Sequence, residues 1–132
     1  MIPATTTRVP ENTDDAINQR IREQTERNIE YFTRKGGAAI DRRLQELDRE
    51  WDVERLLETN AASLALLGLG LGTFVHRRFF VLPAIVTGFL LQHAIQGWCP
   101  PIPIFRRMGI RTAREIEVER YALKVVRGDF VN

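Results

Sequence analysis

The side chains with the widest chemical range in this sequence lie within "LQHAIQGWCPPIPIFRRMGIRT": Gln92, His93, Gln96 and Cys99, the chain's one cysteine. A thiol and an imidazole can form a nucleophile and its base, or part of a metal site, and spacing limits both options. His93 and Cys99 are six residues apart, and the other histidine, His76, lies at the far end of an apolar stretch, so one chain cannot assemble the three or four ligands of a zinc site. Cys99 follows an apolar helical run, where the negative end of the helix dipole disfavours a thiolate. It has no CxxC partner and no nearby acid to organise a triad, although Arg106, Arg107 and Arg111 follow it. Cys99 is therefore a candidate for oxidation or modification and not for catalysis. No catalytic set, metal site or cofactor motif emerges, and a single Cys-Pro dipeptide does not specify haem.

These residues are positioned by the apolar stretch around them. Residues 1–58 hold 10 Lys/Arg and 13 Asp/Glu, residues 59–98 hold 2 and 0, and residues 99–132 hold 7 and 4, which together give the chain's 19 and 17. The near-balanced total conceals an uncharged middle. Thr59 to Val75 is 17 residues without a formal charge and Phe79 to Phe105 is 27, with His76, Arg77 and Arg78 between them. A helix that crosses the hydrocarbon layer needs about 17–25 predominantly apolar residues at about 1.5 Å rise each. "AASLALLGLGLGTFV" has no polar face, whereas an exposed helix of a small soluble domain shows one.

The sequence thus predicts an all-α protein built on a membrane helical hairpin, with two transmembrane helices over about 59–75 and 79–98 and amphipathic cytoplasmic helices before and after. The expected organisation is a disordered N-terminus at 1–12, cytoplasmic helices at 13–57, the hairpin with its Cys-Pro exit at 58–112, and a C-terminal amphipathic helix at 113–132. Arg42, Arg43, Arg49 and Arg55 precede the first span and Arg106, Arg107, Arg111 and Arg114 follow the second, while the turn holds Arg77 and Arg78. That asymmetry puts both termini in the cytoplasm. "MIPATTTRVPENTDD" lacks the basic-then-apolar layout of a secretory signal, which leaves insertion to the first span.

Lipid gives two helices no hydrophobic reason to associate, so small residues and polar contacts must hold them together. Ala61, Ala65, Gly68 and Gly72 share one face of the first span, and Ala84, Gly88, Gln92 and Gln96 recur every four residues on the second. Antiparallel pairing of these stripes sets Gly72 level with Ala84, Gly68 with Gly88 and Asn60 with Gln96. Asn60, Ser63, Gln92, His93 and Gln96 would then form a polar intramembrane cluster near the cytoplasmic end. Such a cluster serves either to bind or conduct a solute, or to hydrogen-bond across helices at about 0.6 kcal/mol per contact. The second use suits spans that contain no ionised carboxylate, Lys or Arg. Beyond it the chain leaves the membrane: Trp98 suits the headgroup level, Pro100, Pro101 and Pro103 end the helix, and Arg106, Arg107 and Arg111 are placed to meet lipid headgroups.

"ERLLE" at Glu54 to Glu58, the Gly-rich spans, and "GWCPPIPIFRRMGIRT" at Gly97 to Thr112 resemble the YgaP-like inner-membrane family, a two-span hairpin of unknown function found alone or after a rhodanese domain. The resemblance covers about residues 51–112. It implies an integral inner-membrane protein that forms a homodimer through its spans. Pro101 and Ile102 stand where the family commonly has tyrosine, and these residues include no rhodanese domain, so sulfur transfer does not carry over.

The flanks read as charged helices. "NTDDAINQRIREQTERNIEYFTRK" opens on Asn12 or Thr13 as cap and stops at Gly36-Gly37, with Ile17, Ile21, Ile29 and Phe32 as a narrow seam. The next helix, about 38–57, carries Ile40, Leu44, Leu47 and Trp51 in a stripe suited to a helix partner or the membrane surface. Its other face mixes Asp41, Arg42, Glu46, Asp48, Arg49 and Glu50, which argues against nucleic acid. The last helix begins with a Thr112–Glu115 capping box and stops at Gly128. Its Ile116, Tyr121, Leu123 and Val126 fall on no single line, which predicts packing against the earlier helices or a second subunit.

Two functions fit these features. One is a self-associating anchor in the lipid bilayer, a homodimer or higher oligomer, that presents cytoplasmic helices to a protein partner. The other is an oligomeric conduit or sensor for a small solute, a sulfur compound by analogy, using Gln92, His93, Gln96 and Cys99.

Overall fold

The computed structural model describes residues 4–129 and is all-helical, with no strand among the described residues. Seven α-helices follow in order: α1 (Arg8–Glu11), α2 (Asp15–Lys35), α3 (Gly37–Arg49), α4 (Val53–Phe74), α5 (Val81–Gln96), α6 (Pro101–Arg107) and α7 (Ala113–Arg127), with a 3₁₀ turn at Arg77–Phe80 leading into α5. They form two bodies in contact. The long apolar helices α4 and α5 pair as an antiparallel hairpin, and α2, α3 and α7 pack into a charged platform at its open end. α1 and α6 join the two.

Helix boundaries in the platform follow local chemistry. α2 stops where Gly36 takes φ +94°, and α7 opens on the Thr112–Glu115 capping box and stops at Gly128 with φ +91°, as the sequence predicts. Thr13 does not cap α2: its hydroxyl donates to the Val9 carbonyl, and Asp14 takes the cap position without a side-chain bond. α3 ends eight residues short of the predicted 57, because Asp52 leaves the helix and its carboxylate accepts the Arg55 amide at 2.7 Å, starting α4 anew. Ile40, Leu44 and Leu47 bury against Ile116 and Leu123 with Phe32 alongside, so the α3 stripe serves a helix partner, whereas Trp51 falls in the break and is exposed. α7 does present one line, Ile116–Glu119–Leu123, whose middle member is a carboxylate with no exposed surface.

The N-terminus departs from its expected disorder over residues 4–12. α1 tucks under the hairpin with Val9 only 2% exposed, joining Val53, Leu57, Cys99 and Ile102 in a second core. Residues 1–3 of that segment lie outside the described residues.

Within the hairpin the stripe on α4 holds and its predicted partner does not. Ala61, Gly68 and Gly72 are buried and Ala65 is half-buried, all toward the second helix. They meet bulky residues: Gly68 faces Leu82 and Pro83, and the Phe80 ring packs against Gly72. Ala84 and Gly88 point outward, with open space around Gly88. The short turn after Phe74 sets this rotation, since the 3₁₀ segment brings Phe80 back over Gly72 before α5 begins. Large-on-flat contact also fills the groove that two small stripes would leave to their flanks.

α4, and α5 extended by the 3₁₀ turn to the 20 residues Arg77–Gln96, are apolar enough and long enough to cross a membrane at about 1.5 Å per residue. Only 22% of the apolar window within Gly37–Phe74, and 6% of that within Arg77–Gln96, is buried inside the protein.

The glycines give a sharp packing test. A Cβ at Gly68 would lie 2.4 Å from Pro83 Cδ and one at Gly72 2.6 Å from the Phe80 ring, while Gly70 has nothing within 4 Å. Gly68→Ala and Gly72→Ala should each destabilise the hairpin by about 1–3 kcal/mol, and Gly70→Ala should be neutral or stabilising by up to about 1 kcal/mol. Thermal denaturation of the detergent-solubilised variants measures the contrast, and equal melting temperatures for all three would contradict this helix register.

Candidate functional site

Three segments remote in sequence meet at the foot of the hairpin. Glu54, in the first turn of α4, accepts from Arg8 at 3.2 Å through Oε1 and lies 2.9 Å from His93 Nε2 through Oε2. Arg8 also donates to the Ala94 carbonyl, and Asn12 Nδ2 donates to the Gln96 carbonyl, each at 3.2 Å. The last carbonyls of α5 have no partners within their own helix, so α1 supplies donors and a cation at the negative end of the dipole. Gly97 permits the approach: its φ is +80° and a Cβ there would lie 2.5 Å from Arg8 Cβ.

The predicted polar cluster is only partly assembled. His93 is 2% exposed, yet its partner is Glu54 and not an amide of the opposite helix. Gln92 and Gln96 bond each other along α5 at 3.2 Å. Asn60 is half-buried and Ser63 exposed, and neither side chain hydrogen-bonds to this group. Cys99 is 1% exposed among Val9, Val53, Leu57 and Ile102. Burial pushes its thiol pKa up, the Glu54 carboxylate adds to that, and a hydrogen bond from the Ile102 backbone opposes them. It shares no hydrogen bond with His93. Enclosure and a raised pKa both work against forming the thiolate that a cysteine nucleophile needs. Among the described residues no three His, Cys, Asp or Glu side chains are grouped to hold a metal ion.

Arg106 and Arg111 are corrected from their expected place at lipid headgroups. Arg106 is 1% exposed and grips Glu115 through both terminal nitrogens, at 2.5 and 2.8 Å, with Asn18 at 3.0 Å. Arg111 is 6% exposed and forks onto Glu50 at 2.7–3.0 Å while reaching Glu119 at 2.7 Å. Glu119 also accepts from Arg43 at 2.6 Å and Asn28 at 3.1 Å. A charge removed from water needs partners, and these eight residues from α2, α3, α6, α7 and the α3–α4 and α6–α7 joints provide them. Of the three headgroup candidates only Arg107 is exposed, and Trp98 is half-buried.

Sequence reasoning finds neither Arg8–Glu54–His93 nor Glu119. Arg8 and His93 are 85 positions apart, and Glu119 sits in a helix with acids at 115 and 117, where it looks like solvated surface. The available signal was its spacing, midway between buried Ile116 and Leu123.

The network makes stability depend on acid. Burial alone would raise the Glu119 carboxyl, but hydrogen bonds from Arg43, Asn28 and Arg111 outweigh it and hold the group below the usual carboxylate range. Glu115 is lowered in the same way, with Arg106 and the Thr112 amide opposing its burial. Both carboxylates bind protons more weakly folded than unfolded. Their stabilisation is complete above the ordinary glutamate pKa of about 4.3 and is lost as pH falls through the depressed folded values. Thermal melts across a pH series should show this acid limb, and Glu119→Gln should reduce it. Glu119→Leu leaves Arg43 without its main partner and should cost about 3–5 kcal/mol, read as a fall in melting temperature at neutral pH.

No protein-family model matches the chain, and no curated protein or solved structure does either.

Proposed function

We propose that this chain is a self-associating membrane anchor: the hairpin crosses the inner membrane twice, both termini lie in the cytoplasm, and the α2–α3–α7 platform is held at the membrane surface for a protein partner. The observation that carries this is the outward face of the hairpin. Leu66, Leu67, Phe74, Val81, Ile85 and Leu91 are between 50% and 87% exposed with no protein covering them, far more apolar surface than a soluble monomer leaves open. All charged flanks gather at one end and Arg77 and Arg78 at the other, and the basic residues are more numerous on the platform side.

Homodimerisation is assigned to the outer face of α5. Gly68 and Gly72 are covered by the chain's own Pro83 and Phe80, whereas Ala84 and Gly88 remain open on α5 as a small-xxx-small pair. A solute conduit fits less well, because His93 is enclosed and paired and Cys99 is enclosed.

Three measurements test the anchor. The full chain should sediment with membranes and require detergent for release; recovery as a monomer in a detergent-free supernatant would overturn the proposal. Cys99 is too enclosed to report topology, so the probe is Met108→Cys in a Cys99→Ala chain, Met108 being 68% exposed. An impermeant maleimide should label it only from the cytoplasmic side, with Arg78→Cys labelled only from the other. Gly88→Leu should reduce cross-linked dimer in membranes without lowering the melting temperature, while an unchanged dimer yield would exclude the outer face of α5.

A further inference from the structure

Charge is sorted unevenly between the cavities of the platform. One, about 730 Å³ beside α1, α2 and α7, has Glu11, Asp15, Arg22, Glu26, Arg114 and Glu115 as its charged lining, four carboxylates against two guanidiniums. A second cleft, about 380 Å³, lies between α2, the end of α6 and the α3–α4 joint. It is lined by Arg20, Arg27, Arg43, Arg106, Arg107 and Arg111 against one carboxylate, Glu50. In a chain with 19 basic and 17 acidic residues, six to one is a local excess.

Three of the six guanidiniums are neutralised by carboxylates. Arg43, Arg106 and Arg111 are paired with Glu119, Glu115 and Glu50, so they form a wall of fixed guanidiniums. Arg106 still keeps one donor, Nε, buried without an acceptor. Arg20, Arg27 and Arg107 are exposed and make no ion pair among the described residues. Arg20 and Arg27 are seven residues apart on α2, which puts them on one face and about 10 Å apart along the axis. Gln24 lies between them, accepting from Arg27 at 3.0 Å and donating to Asn28 at 2.9 Å, and both amides line the cleft. Three uncompensated cations around one concavity repel one another, and an anion relieves that repulsion.

The geometry points to a binding site for a small molecule that carries two phosphoryl groups, neutralised by Arg20, Arg27 and Arg107 against the fixed wall of Arg43, Arg106 and Arg111. Guanidinium forks match the oxygens of a phosphoryl group in pairs. The volume suits a compact ligand. No aromatic ring lines the cleft, and Ile21 and Met108 are its apolar side chains, so it offers no stacking surface to a nucleobase. The ligand has two sources with the same chemistry, a free diphosphate compound or a diphosphorylated lipid headgroup, since α6 leads from the foot of the hairpin directly to Arg107.

The test is calorimetric titration of the full chain, in nonionic detergent, with inorganic pyrophosphate. Saturable binding should appear and weaken with added salt. It should be weaker by about tenfold or more in R20Q/R27Q/R107Q, whose ligand-free melting temperature should match the parent because these side chains are exposed and make no ion pair among the described residues. R42Q/R49Q/R114Q removes the same net charge away from this cleft and should keep the parent affinity. Absence of saturable binding, or an equal loss in both triple variants, overturns the site. Repeating the titration in nanodiscs separates the sources. Pyrophosphate displaced by a bisphosphorylated phosphoinositide but not by phosphatidylcholine assigns the site to a headgroup, and equal affinity in both discs assigns it to a soluble diphosphate.

Discussion

The structure depends on keeping Arg106, Arg111 and Glu119 out of water with their charges paired. Arg111 is the hub: its guanidinium spans Glu50 at the α3–α4 joint and Glu119 in the middle of α7, while its backbone carbonyl accepts the Val53 amide at 2.9 Å. One residue therefore fixes where the platform's last helix begins and where the first hairpin helix begins. A carboxylate as enclosed as Glu119 is tolerable only because Arg43, Arg111 and Asn28 saturate its oxygens. Hydrophobic packing alone would let α7 slide along α3. Bidentate hydrogen bonding sets one register, because a shift by a single turn would leave buried charges unpaired.

The hairpin is tied to this frame by weaker and more local means. Its two helices share no cross-helix hydrogen bond in their apolar middle, and hold together by the fit of Phe80 and Pro83 on a flat glycine face. At the foot, where the helix ends leave backbone groups unpaired, polar contacts take over: Arg8, Glu54 and His93 close the α5 terminus that Gly97 ends. The change from packing to hydrogen bonding along one hairpin follows from the helix ends, whose last backbone groups need partners that the apolar middle does not.

The sequence disclosed what depends on neighbours a few residues apart. The capping box at Thr112, the glycine stops, the two apolar helices and the buried stripes of α3 and α4 are all local patterns, and all appear. It concealed whatever depended on rotation and distance. The stripe on α5 was misassigned because Ala84 and Gly88 look like a mate for Gly68 and Gly72, while the turn that sets the facing angle leaves no periodic mark. The arginines after Cys99 looked like headgroup ligands because a run of basic residues past an apolar helix is read by its position, and burial by partners such as Glu50, 61 positions away from Arg111, cannot be seen along the chain. Arg8 was hidden for the same reason, in a segment whose composition suggests disorder.

Pairing also determines which charges remain for other uses. The platform neutralises its buried guanidiniums internally, so those arginines cannot be drawn out to a ligand without unfavourable exposure of Glu115 or Glu119 to an empty pocket. A ligand must therefore be met by side chains outside the network, and on the wall next to it these are Arg20, Arg27 and Arg107. Because Arg107 directly follows buried Arg106, whose partner Glu115 closes the α7 capping box, a ligand that orders Arg107 acts on the same turn that aligns α6 with α7. Arg43, Arg106 and Arg111 also line the cleft directly, so cleft and frame share side chains as well as this turn.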